Sequence, residues 1–212
     1  MGAKASTNPF WLSPKLTQWS SSHDSSLAIV KGAFNSRPAI LDFGTGVIQA
    51  LSASATPTVW VLTSAEKTAS GSGILTPTDL MKYLTCQALR LSSQASTVAP
   101  TEGHMALRHS QFCTAETPKE WFDLFTEVIA SIPGERVCLV VDLATVRSES
   151  APGSVSGAFN FVEELHRHMV SSPDNDASRR SRTKVKVVLL STNRTDLASC
   201  RRRSRLSLSP SR

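Results

Sequence analysis

Gly32, Arg37 and Asp142 are the residues whose types and places in the chain come nearest to a chemical site. The first two lie in Gly32-Ala33-Phe34-Asn35-Ser36-Arg37-Pro38-Ala39, between an apolar run and a segment of helical spacing. Asp142 ends another apolar run, VCLVVD. A turn from strand to helix of the form G-x-x-x-x-G-K-[ST] lets backbone N–H groups wrap a phosphate, while its lysine offsets charge and its hydroxyl holds magnesium. A carboxylate closing a nearby strand orients that magnesium through water. Counted from Gly32, however, Arg37 stands at the second glycine, Pro38 at the lysine and Ala39 at the hydroxyl. Proline also removes a donor. Leu143 replaces the catalytic carboxylate that commonly follows such an aspartate. These residues predict a degenerate nucleotide site formed by Gly32, Arg37 and Asp142, with no catalytic residue, no metal site and no expected cofactor. Two bland alternatives stand beside it: Arg37 as a solvated arginine at a helix start, and Asp142 as a turn cap. Ser191-Thr192-Asn193-Arg194 occupies the place where a γ-phosphate would be sensed, but four residues specify little.

Other constellations are weaker. His166 and His168 are two apart on a helix, do not face each other, and with Glu163 and Glu164 read as a solvated face. His104 and His109 have no ligand partner at suitable spacing. Gly44-Thr45-Gly46 lacks the third glycine of a dinucleotide fingerprint and predicts close helix packing. Neither Gly71-Ser72-Gly73 nor Gly153-Ser154-Val155-Ser156-Gly157 places serine as a nucleophile elbow requires. Trp60 and Trp121 read as core, whereas Trp11 and Trp19 either pin the N-terminal arm onto the sheet or face another domain. Cys86, Cys113, Cys138 and Cys200 are widely spaced and read as reduced thiols.

Positioning Gly32, Arg37 and Asp142 requires a sheet. Apolar runs at 27–30, 58–62, 137–142 and 185–190 are continuous rather than alternating, as in parallel strands covered on both faces. Helical spacing separates them: Ile40, Phe43, Val47 and Leu51; Leu80, Tyr83, Leu84, Ala88 and Leu91; Trp121, Leu124, Phe125, Val128 and Ile129; Phe159, Val162, Leu165 and Met169. The alternation predicts a doubly wound α/β sheet. Thr76-Pro77 and Thr117-Pro118 are helix starts, and 64–76, 92–117, 147–156 and 171–183 read as loops.

The chain has 212 residues, 40% of them hydrophobic and 19% charged, which is a globular composition. No run is apolar for the roughly 18 residues of a membrane span, and no secretory leader pattern opens the chain. A cytoplasmic location follows as the expectation. The net charge of +6 is uneven: residues 179–212 hold eleven Lys/Arg and one acid, leaving twelve basic and sixteen acidic residues before them. The RRRSR stretch at 201–205 offers simple electrostatics for nucleic acid or a nuclear import receptor, and little to bury. Met1-Gly2-Ala3-Lys4-Ala5-Ser6 fits the loose N-myristoylation pattern.

The stretch NPFWLSPKLTQWSSSHDSSLAIVKGAFNSRPAILDFGTGVIQAL, then TPTVWVLTS, KEWFDLFTEVIASIPGERVCLVVDL and KVKVVLLS, resembles a fungal STAND/NACHT-like P-loop NTPase family with a degenerate Walker A loop. The resemblance covers roughly residues 8–192, and Gly32-Ala33-Phe34 with Arg37 matches the G-[SA]-F-x-x-R loop of many such relatives. It implies a three-layer, mostly parallel sheet ordered 2-3-4-1, in proteins that continue into larger interaction architectures. The chain departs from that pattern by turning into RTDLASCRRRSRLSLSPSR where a fifth strand and helical domains belong. An incomplete domain is expected: an arm at 1–24, an α/β domain at 25–192 and a disordered basic tail at 193–212, an ending that a read-through or truncated reading frame would also produce. The expected function is a pseudo-NTPase module meeting a protein partner or adjoining domains, the alternative a weak switch binding Mg-ATP or Mg-GTP. With its first strand uncovered, such a domain would tend to self-associate.

Overall fold

A computed structural model describes residues 8–63, 74–95, 110–146, 159–170, 183–192 and 207–208. Its core is a parallel sheet made of β1 (Ser26–Lys31), β2 (Thr58–Val61), β3 (Arg136–Asp142) and β4 (Lys184–Ser191). The order is β2-β3-β4-β1, with a two-residue strand, β5 (Ser207–Leu208), parallel to β1 on its far side. The α/β expectation holds, and the order agrees with the one the resemblance implied.

Helices cover both faces. α3 (Pro77–Ala95), α4 (Pro118–Ala130) and α5 (Phe161–Val170) bury their apolar stripes against Val59, Val61, Val137, Leu139, Val141, Val187 and Leu189. On the other face, α1 (Pro14–Ser21) and α2 (Arg37–Ala53), with the 3-10 turn Pro9–Leu12, enclose Ala28, Val30, Val140, Val188 and Leu190. Successive strand residues feed opposite layers, so a sheet buried on both faces needs continuous apolar runs.

Local signals set the helix starts. Thr117 accepts the Glu120 N–H at 3.2 Å while the Glu120 carboxylate accepts the Thr117 N–H at 2.9 Å, a reciprocal cap with Pro118 in the first turn. The Asp79 N–H donates to Thr76 Oγ1 at 3.1 Å. The glycines of α2 do what close packing asks: a Cβ on Gly44 would lie 2.6 Å from Leu190 Cδ1, and one on Gly46 3.0 Å from Trp11 Cζ2.

From Asn8 onward the arm is part of the fold. Trp11 stacks tilted on Phe43 with ring centroids 4.8 Å apart, and Trp19 is buried with its indole N–H on the Ser26 carbonyl at 3.1 Å. Asn8 is buried and donates to the Ala39 carbonyl at 2.6 Å and to Asp42 Oδ2 at 3.1 Å. Of the two readings of Trp11 and Trp19, they pin the arm to the sheet layer.

Several expectations change. Trp60 is 38% exposed and Tyr83 47% exposed rather than core. Among the described residues β2 lies at an edge, with a neighbouring strand on one flank of Trp60 only, and Tyr83 lies just off the α3 stripe of Leu80, Met81, Leu84 and Ala88. The segment read as a loop from 92 contains the end of α3 and a helical stretch at 110–114. His168 sits half-buried with its ring edge-on to Phe122, centroids 6.3 Å apart, not on a freely solvated face. β1 is not left bare, because Ile29 and Val30 pair with Ser207 and Leu208 of the segment expected to be disordered. Among the described residues no helix is long and apolar enough to cross a membrane.

Candidate functional site

The strands are parallel, so β1, β2, β3 and β4 all end at one edge of the sheet, and there the three predicted site residues lie. In open α/β sheets the carboxyl ends of the strands are where ligands bind. Gly32 follows β1 directly, Arg37 is the first residue of α2, and Asp142 is the last of β3.

Arg37 and Asp142 meet head-on. Arg37 Nη1 donates to Asp142 Oδ1 at 3.0 Å and Nη2 to Oδ2 at 2.6 Å, the planar fork that matches a guanidinium to a carboxylate. The arginine side chain is 15% exposed and the aspartate 0%. Arg37 is therefore not a solvated arginine at a helix start.

Asp142 is also closed from its other sides. Thr63, buried just beyond β2, donates its hydroxyl to Oδ2 at 2.9 Å and its N–H to the same oxygen at 3.4 Å. The Ala144 N–H donates to Oδ1 at 3.1 Å, which makes Asp142 the cap of the 3-10 turn Leu143–Thr145. The bland reading of a cap is thus present together with an ion pair. Both carboxylate oxygens have two or more donors.

The loop has a geometry of its own. Its Gly32 N–H donates to the Ser191 carbonyl at 3.1 Å, continuing the β1–β4 ladder. A Cβ on Gly32 would stand 2.6 Å from Ile40 Cδ1 and 2.9 Å from Ser36 Cβ, so glycine is needed here for the chain to turn tightly against α2. The segment Phe34–Ser36 is coiled as a 3-10 turn, with the Ser36 N–H on the Ala33 carbonyl at 2.8 Å. Pro38 has no N–H to offer.

The sequence alone did not pick out Thr63. Its signal was available: a hydroxyl just past the second strand falls, in a parallel sheet, beside the residue that ends the third. It also missed Lys186, 1% exposed in mid-β4, whose ammonium donates to the Trp19 carbonyl and to Ser26 Oγ, both at 2.8 Å. Burial, then Arg136, hold that ammonium below its ordinary pKa. The carbonyl belongs to the last turn of α1, where the helix dipole favours a cation. Lys186 therefore anchors α1 to the sheet, away from the edge that carries Asp142.

Ser191 is buried beside β1, whereas Asn193 and Arg194 lie outside the described residues, as do His104, His109, Cys200, the RRRSR stretch and the residues of the N-myristoylation pattern. Cys86 and Cys138 are free thiols, and burial pushes the Cys138 thiol up to about 11, which keeps it protonated. Among the described residues no cluster of His, Cys, Asp or Glu is arranged to hold a metal ion. A scan against protein-family models and searches of the curated proteins and the solved structures found no match.

Proposed function

We propose that this chain is a P-loop-NTPase-like domain without nucleotide turnover, acting as a structural or interaction module of a fungal STAND-type protein and meeting a protein partner or adjoining domains. The observation that carries the reading is the Arg37 fork on Asp142. In a working site that carboxylate orients magnesium and a phosphate supplies the balancing charges. Here a guanidinium from the chain itself supplies the positive charge, and Thr63 and Ala144 take further acceptor positions on the carboxylate. The Gly32 N–H is engaged with Ser191, and proline stands where the lysine belongs. The strand order and the strand-turn-helix frame around Arg37 support the P-loop-like part of the reading.

The outer part of Arg37 favours one competing reading, a weak Mg-ATP or Mg-GTP switch, because its side chain is 15% exposed and an anion can reach it. Equilibrium titration with labelled ATP and GTP in the presence of magnesium separates the two. The module predicts no saturable binding at millimolar nucleotide. Saturable micromolar binding that Asp142→Ala abolishes would overturn it in favour of the switch.

A further inference from the structure

At Trp60 the outer edge of β2 carries a hydrogen-bonding cover. The Cys138 N–H of β3 donates to the Pro57 carbonyl at 2.9 Å. Backbone groups alternate along a strand, so those of Val59 and Val61 also face β3 and those of Trp60 face away from the sheet. An outward N–H and C=O at an edge are a template for another strand. At Trp60 both are taken by one side chain: its N–H donates to Gln87 Oε1 at 3.1 Å, and Gln87 Nε2 donates to its carbonyl at 2.8 Å. A primary amide has the donor and acceptor of a peptide group on adjacent atoms, so Gln87, projecting from α3, completes the two bonds that a neighbouring residue would make.

We propose that Gln87 is an edge cap that keeps a second copy of this chain from pairing along β2. The second copy is the relevant partner because every molecule presents the same edge, and two such edges can join antiparallel about a two-fold axis. Apolar surface would reinforce that contact: Trp60 is 38% exposed, and Tyr83, one turn before Gln87 on α3, is 47% exposed. At the opposite side of the sheet, Ser207 and Leu208 pair with Ile29 and Val30 of β1. This inference is independent of the nucleotide question.

Two measurements on the full chain test it. Hydrogen exchange on the wild-type protein should find the Trp60 amide protected although it faces out from an edge, and Gln87→Leu, read at a dilution where the variant is monomeric, should accelerate its exchange roughly tenfold. Sedimentation velocity should show Gln87→Leu associating with rising concentration where the wild type does not, and Trp60→Pro in the Gln87→Leu background, which removes the edge N–H, should abolish that association. A wild-type Trp60 amide exchanging like a free surface amide overturns the proposal whether or not the variants fold. A folded Gln87→Leu protein with the wild-type sedimentation profile overturns it as well.

Discussion

A buried carboxylate must be paired, and Asp142 is paired by a residue 105 positions away. That separation explains what the sequence could and could not disclose. Arg37 and Asp142 were both legible as candidates, each from its place at the end of an apolar run or the start of a helix. Their contact was not, since it depends on how β1 and β3 sit around β4. The pair is weak support for stability as such, because its attraction is set against the desolvation of two ions; breaking it from one side is another matter. Arg37→Met leaves Asp142 buried without a counter-charge and should cost about 3–5 kcal/mol in urea unfolding. Asp142→Asn added to Arg37→Met should recover part of that loss, because the uncompensated charge is gone. Simple additivity of the two costs would contradict the ion pair as described.

At the scale of elements, strands and helices were readable because a sheet covered on both faces demands unbroken apolar runs, and Thr117-Pro118 marks its helix by composition. Trp60 misled because an apolar run does not say which strand will lie at the edge. Tyr83 misled because its spacing from Leu80 is helical while its position falls off the buried stripe. The cap of α4 yields a pH prediction with a definite sign. Backbone hydrogen bonds from Thr117 and then Glu116, with the Thr117 side chain, hold the Glu120 carboxyl below its ordinary pKa. Its contribution is therefore full above the ordinary value of an unfolded-chain glutamate and is lost as pH falls through the lower folded value. Glu120→Gln should flatten that part of the acid limb, read as the difference between wild-type and variant urea midpoints from pH 6 to pH 3. A difference that does not change across this range would contradict the cap. Thr117→Ala, which removes the N-cap oxygen at any pH, should cost about 1 kcal/mol at pH 7 by the same measurement.

At the scale of the whole molecule, the strand order β2-β3-β4-β1 puts the loop after β1, the hydroxyl after β2 and the carboxylate of β3 at one edge. Composition foresaw the mildly acidic body and the basic tail, but not that Ser207 and Leu208 of that tail pair with β1. Two residues carry no periodicity, and what draws them there is the open backbone of β1 rather than a pattern of their own. Within the arm expected at 1–24, Phe10, Leu16 and Trp19 are buried with α2 and the sheet. In such a molecule the Asp142 carboxylate at the carboxyl edge of the sheet is already paired from within. Anything that binds the folded state alone must raise its stability in proportion to the logarithm of ligand concentration. The direct measurement is therefore the urea midpoint of the wild-type chain with and without Mg-ATP or Mg-GTP. An unchanged midpoint up to millimolar nucleotide is the result predicted by an Asp142 already satisfied by Arg37. A midpoint that climbs steadily with nucleotide concentration and requires magnesium would contradict it.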